Sequence, residues 1–310
     1  PSLGLRTQAM PLSFVEPATP GLFMTPTVSG RDVKTRLLRA VPGLEAATGP
    51  SLTACVGDVM SLIHLPVFQG KDLVDGLTGK PLGPAGIEEA DLNGAGSHLR
   101  FSSTLCPQCG WDLVGERSSL VQTCPHCDTA WMPGPQGGTR ITPHFLQTPE
   151  QPALYLPFWN LRFRAKGFRL ETWADLIRLT NLPRALLPWM ESTAFSFRVP
   201  AFKIRPELFL NLSAQVSLYQ PDAPELETLP KTPLHPVTLP QKEAFQAVPV
   251  VLGRLAPARK NLFPKIRGGS LHPLEASIEY LPFVDAGHEF IQPEMNMAIQ
   301  KNALFWSATL

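Results

Sequence analysis

Four cysteines are the residues of this chain whose type and spacing point most directly to chemistry. Cys106 and Cys109 form one C-x2-C pair, and Cys124 and Cys127 form a second pair after fourteen intervening residues. Each C-x-x-C turn can direct two thiolates toward one point, so two facing turns make a tetrahedral site of four sulfurs. The spacing therefore predicts a metal centre whose ligands all come from the protein.

A site with four thiolate ligands leaves no coordination position open for water or substrate. A metal held there is therefore expected to be structural and not a hydrolytic catalyst. We predict Zn2+. Iron is the alternative, because rubredoxin-like sites that transfer electrons also use two C-x-x-C turns. His126 lies inside the second turn, where four sulfurs already saturate the metal, and we expect it to be a solvated turn residue.

The segment 101–132 resembles the zinc ribbon family, whose four ligands match the four cysteines. Trp111 and Trp131 follow the two turns and are expected to cover the site. The whole chain is similar to a bacterial family with a CPxCGWDL-type ribbon, here residues 106–113, and several YLPFW-like segments, here residues 155–159. Because zinc ribbons serve many unrelated functions, these resemblances imply a fold and a metal but bring no activity.

The composition favours a β-rich protein with an unusually uncharged surface. The chain has 310 residues, of which 17% are charged, against about 25% in a typical soluble domain. Its 34 prolines are about twice the usual number and favour many turns and short strands. A net charge of +1 gives no global field that would select nucleic acid or an anionic membrane. No apolar run is long enough for a transmembrane segment.

The expected fold class is mainly β with a few short helices, an α+β arrangement. We predict a β-rich domain at 1–96, the ribbon at 101–132 and a second β-rich domain at 152–310. Apolar-Leu-Pro-apolar segments recur in the outer domains, so we interpret them as a possible duplication with the ribbon inserted. Leu65–Pro66 would then match Leu281–Pro282, Arg6 would match Arg205, and sequence preceding Pro1 would be missing.

Periodicity predicts individual elements within these domains. Residues 161–166 alternate between apolar and cationic side chains, as in a half-buried strand, and residues 195–199 alternate likewise. Short helices are expected at 32–40, 172–180 and, more weakly, 241–252. Residues 70–96 and 133–152 are predicted to be loops and linkers because they are rich in Gly or Pro.

Two groups of cations are candidate contacts for an anion or a partner. Arg162, Arg164 and Lys166 lie on the alternating strand, next to aromatic residues that would face the opposite side. A second basic stretch, expected to be a surface loop, has no acidic residue and no phosphate-loop spacing. It contains Arg259, Lys260, Lys265 and Arg267.

We find no set of catalytic residues in the sequence. The leading hypothesis is a non-catalytic accessory or scaffold subunit that binds other protein subunits in a multi-subunit assembly. The candidate contact surfaces are the Trp159 region, the helix expected to carry Trp173 and the Pro-rich segment 221–240. The alternatives are a nucleic-acid-binding zinc ribbon protein and a rubredoxin-like iron protein. Thiolate ligands and the unpaired Cys55 suit a reducing compartment, so a cytoplasmic location is expected.

Overall fold

The computed structural model describes residues 20, 22–24, 65–84, 92–93, 103–116, 118–134, 137–257 and 259–307. The chain is mainly β with short helices, as the composition predicts. The strands are β1 (Phe23–Met24), β2 (Val67–Gln69), β3 (Asp72–Asp75), β4 (Pro81–Pro84), β5 (Leu92–Asn93), β6 (Gln122–Cys124), β7 (Thr129–Gly134), β8 (Gly137–Ile141), β9 (His144–Phe145), β10 (Leu154–Lys166), β11 (Phe197–Pro200), β12 (Ser270–Asp285), β13 (Glu289–Gln292) and β14 (Met297–Gln300). The helices are α1 (Trp173–Thr180), α2 (Pro206–Tyr219), α3 (Gln241–Leu255), α4 (Arg259–Arg267) and α5 (Lys301–Ser307).

The described residues belong to two compact units, which divide near residue 102. In the first unit, β2, β3 and β4 form an antiparallel sheet, and β1 pairs with β5. The turn after β3 is held by Asp75, whose carboxylate accepts hydrogen bonds from the backbone N–H of Leu77 and Thr78. The prediction of a structureless linker across 70–96 was therefore wrong for β3 and β4. The predicted helix at 32–40 lies outside the described residues.

The second unit is organised around the antiparallel pair β10 and β12, which have 13 and 16 residues. Strand order in its main sheet is β11-β10-β12-β13-β14, and β9 adds a short parallel pairing to β12. The two YLPF segments of the sequence, at 155–158 and 280–283, pair with each other, with Leu156 opposite Leu281. A register shift after Arg162 leaves Leu274 unpaired as a bulge.

The pairing of these segments bears on the proposed duplication. Leu281–Pro282 lies inside a long buried strand, whereas Leu65–Pro66 lies just before β2 and Leu65 is exposed. Arg6 is outside the described residues. The duplication and the three domain boundaries therefore stay predictions.

Helices cover one face of the main sheet. Phe163 of β10 packs edge-on against Phe245 of α3, with ring centroids 5.2 Å apart, and Trp159 donates its indole N–H to the carbonyl of Leu239. At the side of the sheet, the hydroxyl of Ser217 in α2 accepts from the backbone N–H of Arg198 and donates to the carbonyl of the same residue. Among the described residues, no helix has both the length and the apolar character needed to cross a bilayer.

Helix positions follow local chemistry. Thr172 caps α1 through a capping box with Asp175, so the helix expected at 172–180 is confirmed. Helix α3 begins at Gln241, as expected. Helix α2 was not predicted, although it starts with Pro206 and proline favours the first helical position. The basic stretch that was expected to be a loop forms α4 instead.

The Pro-rich segment 221–240 packs back onto the second unit. The carbonyl of Pro233 accepts from the N–H of Tyr155, and Thr238 and Leu239 both donate to the carbonyl of Ala201. Leu239 is fully buried. The segment is thus an extended part of this unit's own core.

His235 lies in this segment, and its ring meets the Phe202 ring edge-on at 4.8 Å. Desolvation by burial lowers the pKa of His235 to about 4. Since an unfolded histidine titrates near pH 6.5, the unfolded state binds a proton that the folded state excludes.

The second unit should therefore lose stability as pH falls from about 6.5 to about 4, with His235 contributing about 3 kcal/mol of that loss. His235→Gln should remove this part, seen as a smaller change in the free energy of urea unfolding between pH 7 and pH 4. His288→Gln, at an exposed histidine, is the control and should behave like the wild type. An identical acid response in wild type and His235→Gln would contradict the assignment.

A buried ion pair lies on the other face of the sheet. Arg198 of β11 donates from Nε to one carboxylate oxygen of Glu279 at 2.6 Å and from Nη2 to the other at 3.2 Å. Asn160 donates to the same carboxylate, while Ser196 and Gln220 accept from the guanidinium. Arg198 and Glu279 are each only 8% exposed. The alternation at 195–199 correctly predicted a strand, which covers 197–200, but the polar side chains of Ser196 and Arg198 are buried as well.

Glu279→Ala should destabilise the protein by about 3–5 kcal/mol, because it leaves the guanidinium buried without its anion. Glu275→Ala is a matched control on the same strand: Glu275 also pairs with an arginine of β10, Arg162, but both side chains are exposed. Its expected cost is below about 1 kcal/mol. Equal unfolding midpoints for the two variants in urea would disprove the assignment.

Candidate metal centre

The structure brings the four predicted ligands together. One Sγ atom from each of Cys106, Cys109, Cys124 and Cys127 lies within 4.8 Å of the other three. Among the pairs, Cys106 and Cys127 have their sulfurs 3.6 Å apart, and Cys109 and Cys124 have theirs 3.5 Å apart. A tetrahedral zinc ion with Zn–S bonds of about 2.3 Å requires sulfurs about 3.8 Å apart. The donor set and its spacing therefore fit a tetrahedral metal ion.

Each turn has the backbone conformation that brings its sulfurs together. In the first, the N–H of Gly110 donates to the carbonyl of Cys106, and Gly110 has a φ of +75°, which glycine adopts without strain. In the second, Asp128 takes the same left-handed conformation with a φ of +52°. Aspartate tolerates this region better than most residues do. The absence of glycine from the second turn is therefore no obstacle to the knuckle geometry.

Hydrogen bonds prepare the cluster for ionisation. Burial alone would raise the pKa of the Cys106 thiol. Donation from the backbone N–H of Cys109, the Thr129 hydroxyl and the N–H of Gln108 outweighs that effect and lowers the pKa to about 6. At Cys127 the Thr129 hydroxyl lowers the pKa, but burial and the contacts with the thiols of Cys124 and Cys106 outweigh it and raise the pKa. One thiolate thus forms readily, and a cation is needed before the whole cluster ionises.

Thr129 is a residue of the site that sequence reasoning missed. Its Oγ1 lies 3.1 Å from the sulfur of Cys127 and 3.6 Å from that of Cys106. The indole N–H of Trp131 donates to the same oxygen at 2.9 Å, which leaves the hydroxyl proton to point at sulfur. The sequence Cys-Asp-Thr-Ala-Trp at 127–131 could have indicated this role. Side chains two residues apart on a strand share a face, so Thr129 lies on the same face as Trp131, which was expected to cover the site.

The two tryptophans have different positions. Trp131 is buried against Cys106 and Cys124, as predicted for a residue that covers the site. Trp111 is 56% exposed and stacks on the ring of His126, with centroids 5.1 Å apart. His126 is exposed, as expected.

The cysteine module is attached to the rest of the second unit. Strand β7 pairs with β6 on one side and β8 on the other, so the predicted linker at 133–152 in fact contributes a strand to the module. Val121 and Ala130 belong to the main hydrophobic core. The N–H of Leu120 donates to the carbonyl of Val237 in the Pro-rich segment at 2.6 Å.

The candidate cationic contacts lie on two elements. Arg162, Arg164 and Lys166 are exposed on β10, while Leu161 and Phe163 are buried, which confirms the alternation. Arg162 pairs with Glu275 at 2.9 Å, and within the described part of the chain no ion pair forms to Arg164 or Lys166. The other four cations, Arg259, Lys260, Lys265 and Arg267, are exposed on α4, whose buried face carries Leu262 and Ile266.

The polar segment 285–289, which contains Asp285, His288 and Glu289, does not form a metal site. Asp285 accepts two hydrogen bonds from Lys301, at 2.6 and 2.7 Å, and one from the backbone N–H of Gly287 at 2.8 Å, and these donors lower its pKa. Among the residues that the structure describes, the four cysteines are the only group of three or more His, Cys, Asp or Glu side chains arranged to hold a metal ion.

Comparison with known proteins adds no family to this picture: no family model matches the chain, and no curated protein or solved structure is significantly similar to it.

The cysteine cluster predicts a specific effect of Cys106→Ser. The wild-type chain should contain one metal ion per molecule, and the variant should lose it and unfold mainly residues 101–132, because this segment is too short to stay folded without the cross-link. Metal analysis and hydrogen exchange measure the two effects. Cys55→Ser, at the fifth cysteine, is the control and should keep the metal. Full metal content in Cys106→Ser would rule out the site.

Proposed function

We propose that this chain is a non-catalytic accessory subunit that binds other proteins, and that a structural zinc ion stabilises its ribbon. The observation that carries the proposal is the four-sulfur cluster, which can saturate a tetrahedral ion and leaves it no position for substrate. The metal would fix the two turns and the hairpin between them. The zinc ion would thus act as a cross-link between the two turns. A cytoplasmic location would keep the cysteine thiols reduced.

Exposed apolar residues on the ribbon support the binding role. Leu105 is 51% exposed and lies opposite Asp112, and Val114, two residues along that segment, is 58% exposed. These two side chains therefore share the outer face of the first hairpin, on a scaffold that the metal would hold rigid. Such a patch is typical of a surface that another protein covers.

Two of the surfaces suggested by the sequence do not serve this role. Trp159 and Trp173 are buried in the core of their own unit, at 3% and 4% exposure. Near α1, an exposed apolar residue is Trp189, which meets the Trp173 ring edge-on.

The alternatives draw less support. A nucleic-acid platform needs aromatic rings beside the cations, but Phe163 is buried on the face opposite Arg162 and Arg164. The rubredoxin-like alternative requires iron at the same sulfurs. Ferric thiolate absorbs visible light and Zn2+ does not, so the spectrum of the protein as isolated separates the two metals. A coloured, iron-loaded protein would overturn the zinc assignment.

The binding role predicts that tagged protein purified gently from its source elutes with at least one other protein, through an interface of more than about 1,000 Å2. Val114→Glu should abolish this association while the metal content stays full. Leu274→Glu is the matched control, because Leu274 is 47% exposed and lies outside the ribbon. A wild-type chain that elutes alone and stays monomeric at high concentration would contradict the proposal.

A further inference from the structure

A cavity of about 740 Å3 opens between α3, α4 and the ends of β10 and β12. Small-molecule sites in proteins commonly have volumes of about 300–1,000 Å3 and apolar walls with a few polar groups. The cavity contains none of the four cysteines, so its function is independent of the metal centre.

The interior of the cavity is apolar and aromatic. Phe163 and Ile266 are buried at its base, while Phe168, Phe245 and Leu271 are half-buried along its sides. The perpendicular packing of Phe163 against Phe245 fixes the orientation of two of these rings. Burial of an acyl chain or an aromatic ring against these walls would be favourable through the hydrophobic effect.

Close packing at Gly269 holds the third ring in place. A Cβ atom at this position would lie 2.7 Å from the ring of Phe168 and 2.5 Å from the carbonyl oxygen of Lys166. Only glycine fits at position 269, where the Phe168 ring packs directly against the backbone. The tight packing at Gly269 therefore limits the positions that the Phe168 ring can take.

The polar side chains of the lining are exposed, so they border the mouth of the cavity. Gln241, Lys242 and Gln246 lie in the first turns of α3, and Ser270 begins β12; all four are exposed. Lys242 is the one charged side chain among the described lining residues, and no ion pair to it forms in the described part of the chain. The mouth thus offers one cation to the polar group of a ligand.

We infer that this cavity binds an apolar small molecule with one anionic head, of the chemistry of a medium-chain carboxylic acid. The apolar tail lies against the phenylalanines, and the carboxylate lies at the mouth beside Lys242. The choice of a single anionic head follows from the lining, which carries one charged side chain, Lys242, among mostly apolar residues.

The test uses the full-length, metal-loaded protein and two ligands of equal chain length, decanoate and decanol, titrated by calorimetry. Decanoate should bind saturably and at least about tenfold more tightly than decanol, a preference of about 1.4 kcal/mol. Lys242→Glu should remove this preference and leave decanol binding unchanged. Lys231→Glu reverses an exposed lysine in the Pro-rich segment and should preserve it.

A second variant, Gln246→Glu, places a negative charge at the exposed mouth without touching the aromatic walls. It should weaken decanoate binding by several-fold and not affect decanol. Equal affinities for decanoate and decanol in the wild type, or no saturable binding of either, would overturn the inference. Retention of the decanoate preference in Lys242→Glu would overturn the role of the lysine and with it the anionic specificity.

Discussion

The antiparallel pairing of β10 with β12 is the interaction on which the second unit depends. It aligns Leu156 with Leu281 and, through the same register, brings Asn160 of β10 and Glu279 of β12 close to Arg198 of β11. A slip of one residue in this pairing would turn every side chain of a strand to the other face. It would also separate the Arg198–Glu279 ion pair from the polar side chains that hydrogen-bond to it. Apolar burial makes the pair stable, while the buried charges make other registers costly.

The parts of the structure that the sequence predicted are those governed by local spacing. The four ligands follow from two C-x-x-C turns, the half-buried strand from alternation at 161–166, and α1 from a cap at Thr172. Partners distant in the chain were less visible. Leu281–Pro282 was interpreted as the duplicate of Leu65–Pro66, whereas within the fold its pairing partner is the YLPF segment of β10, which the duplication left without a counterpart.

Other differences have equally physical causes. The cations of α4 were expected in a surface loop, but burial of Leu262 and Ile266 stabilises a helix there. Arg198 was expected on the polar face of a half-buried strand. Its burial is explained by its ion pair with Glu279, which lies 81 positions later in the chain. Thr129 has no metal-ligand chemistry of its own, so its contact with sulfur becomes apparent only from the folded turn.

The hydroxyl of Ser217 has a consequence for how this protein can assemble. By bonding both backbone groups of Arg198, it occupies the positions that a neighbouring strand would use to extend the sheet beyond β11. Strand addition from another molecule, which is a common route both to recognition and to amyloid-like aggregation, is closed at that point. A complex at the β11 edge of the sheet must therefore form through side-chain contacts. Side-chain contacts depend more on the sequence of the partner than backbone pairing does, so they select the partner more strictly.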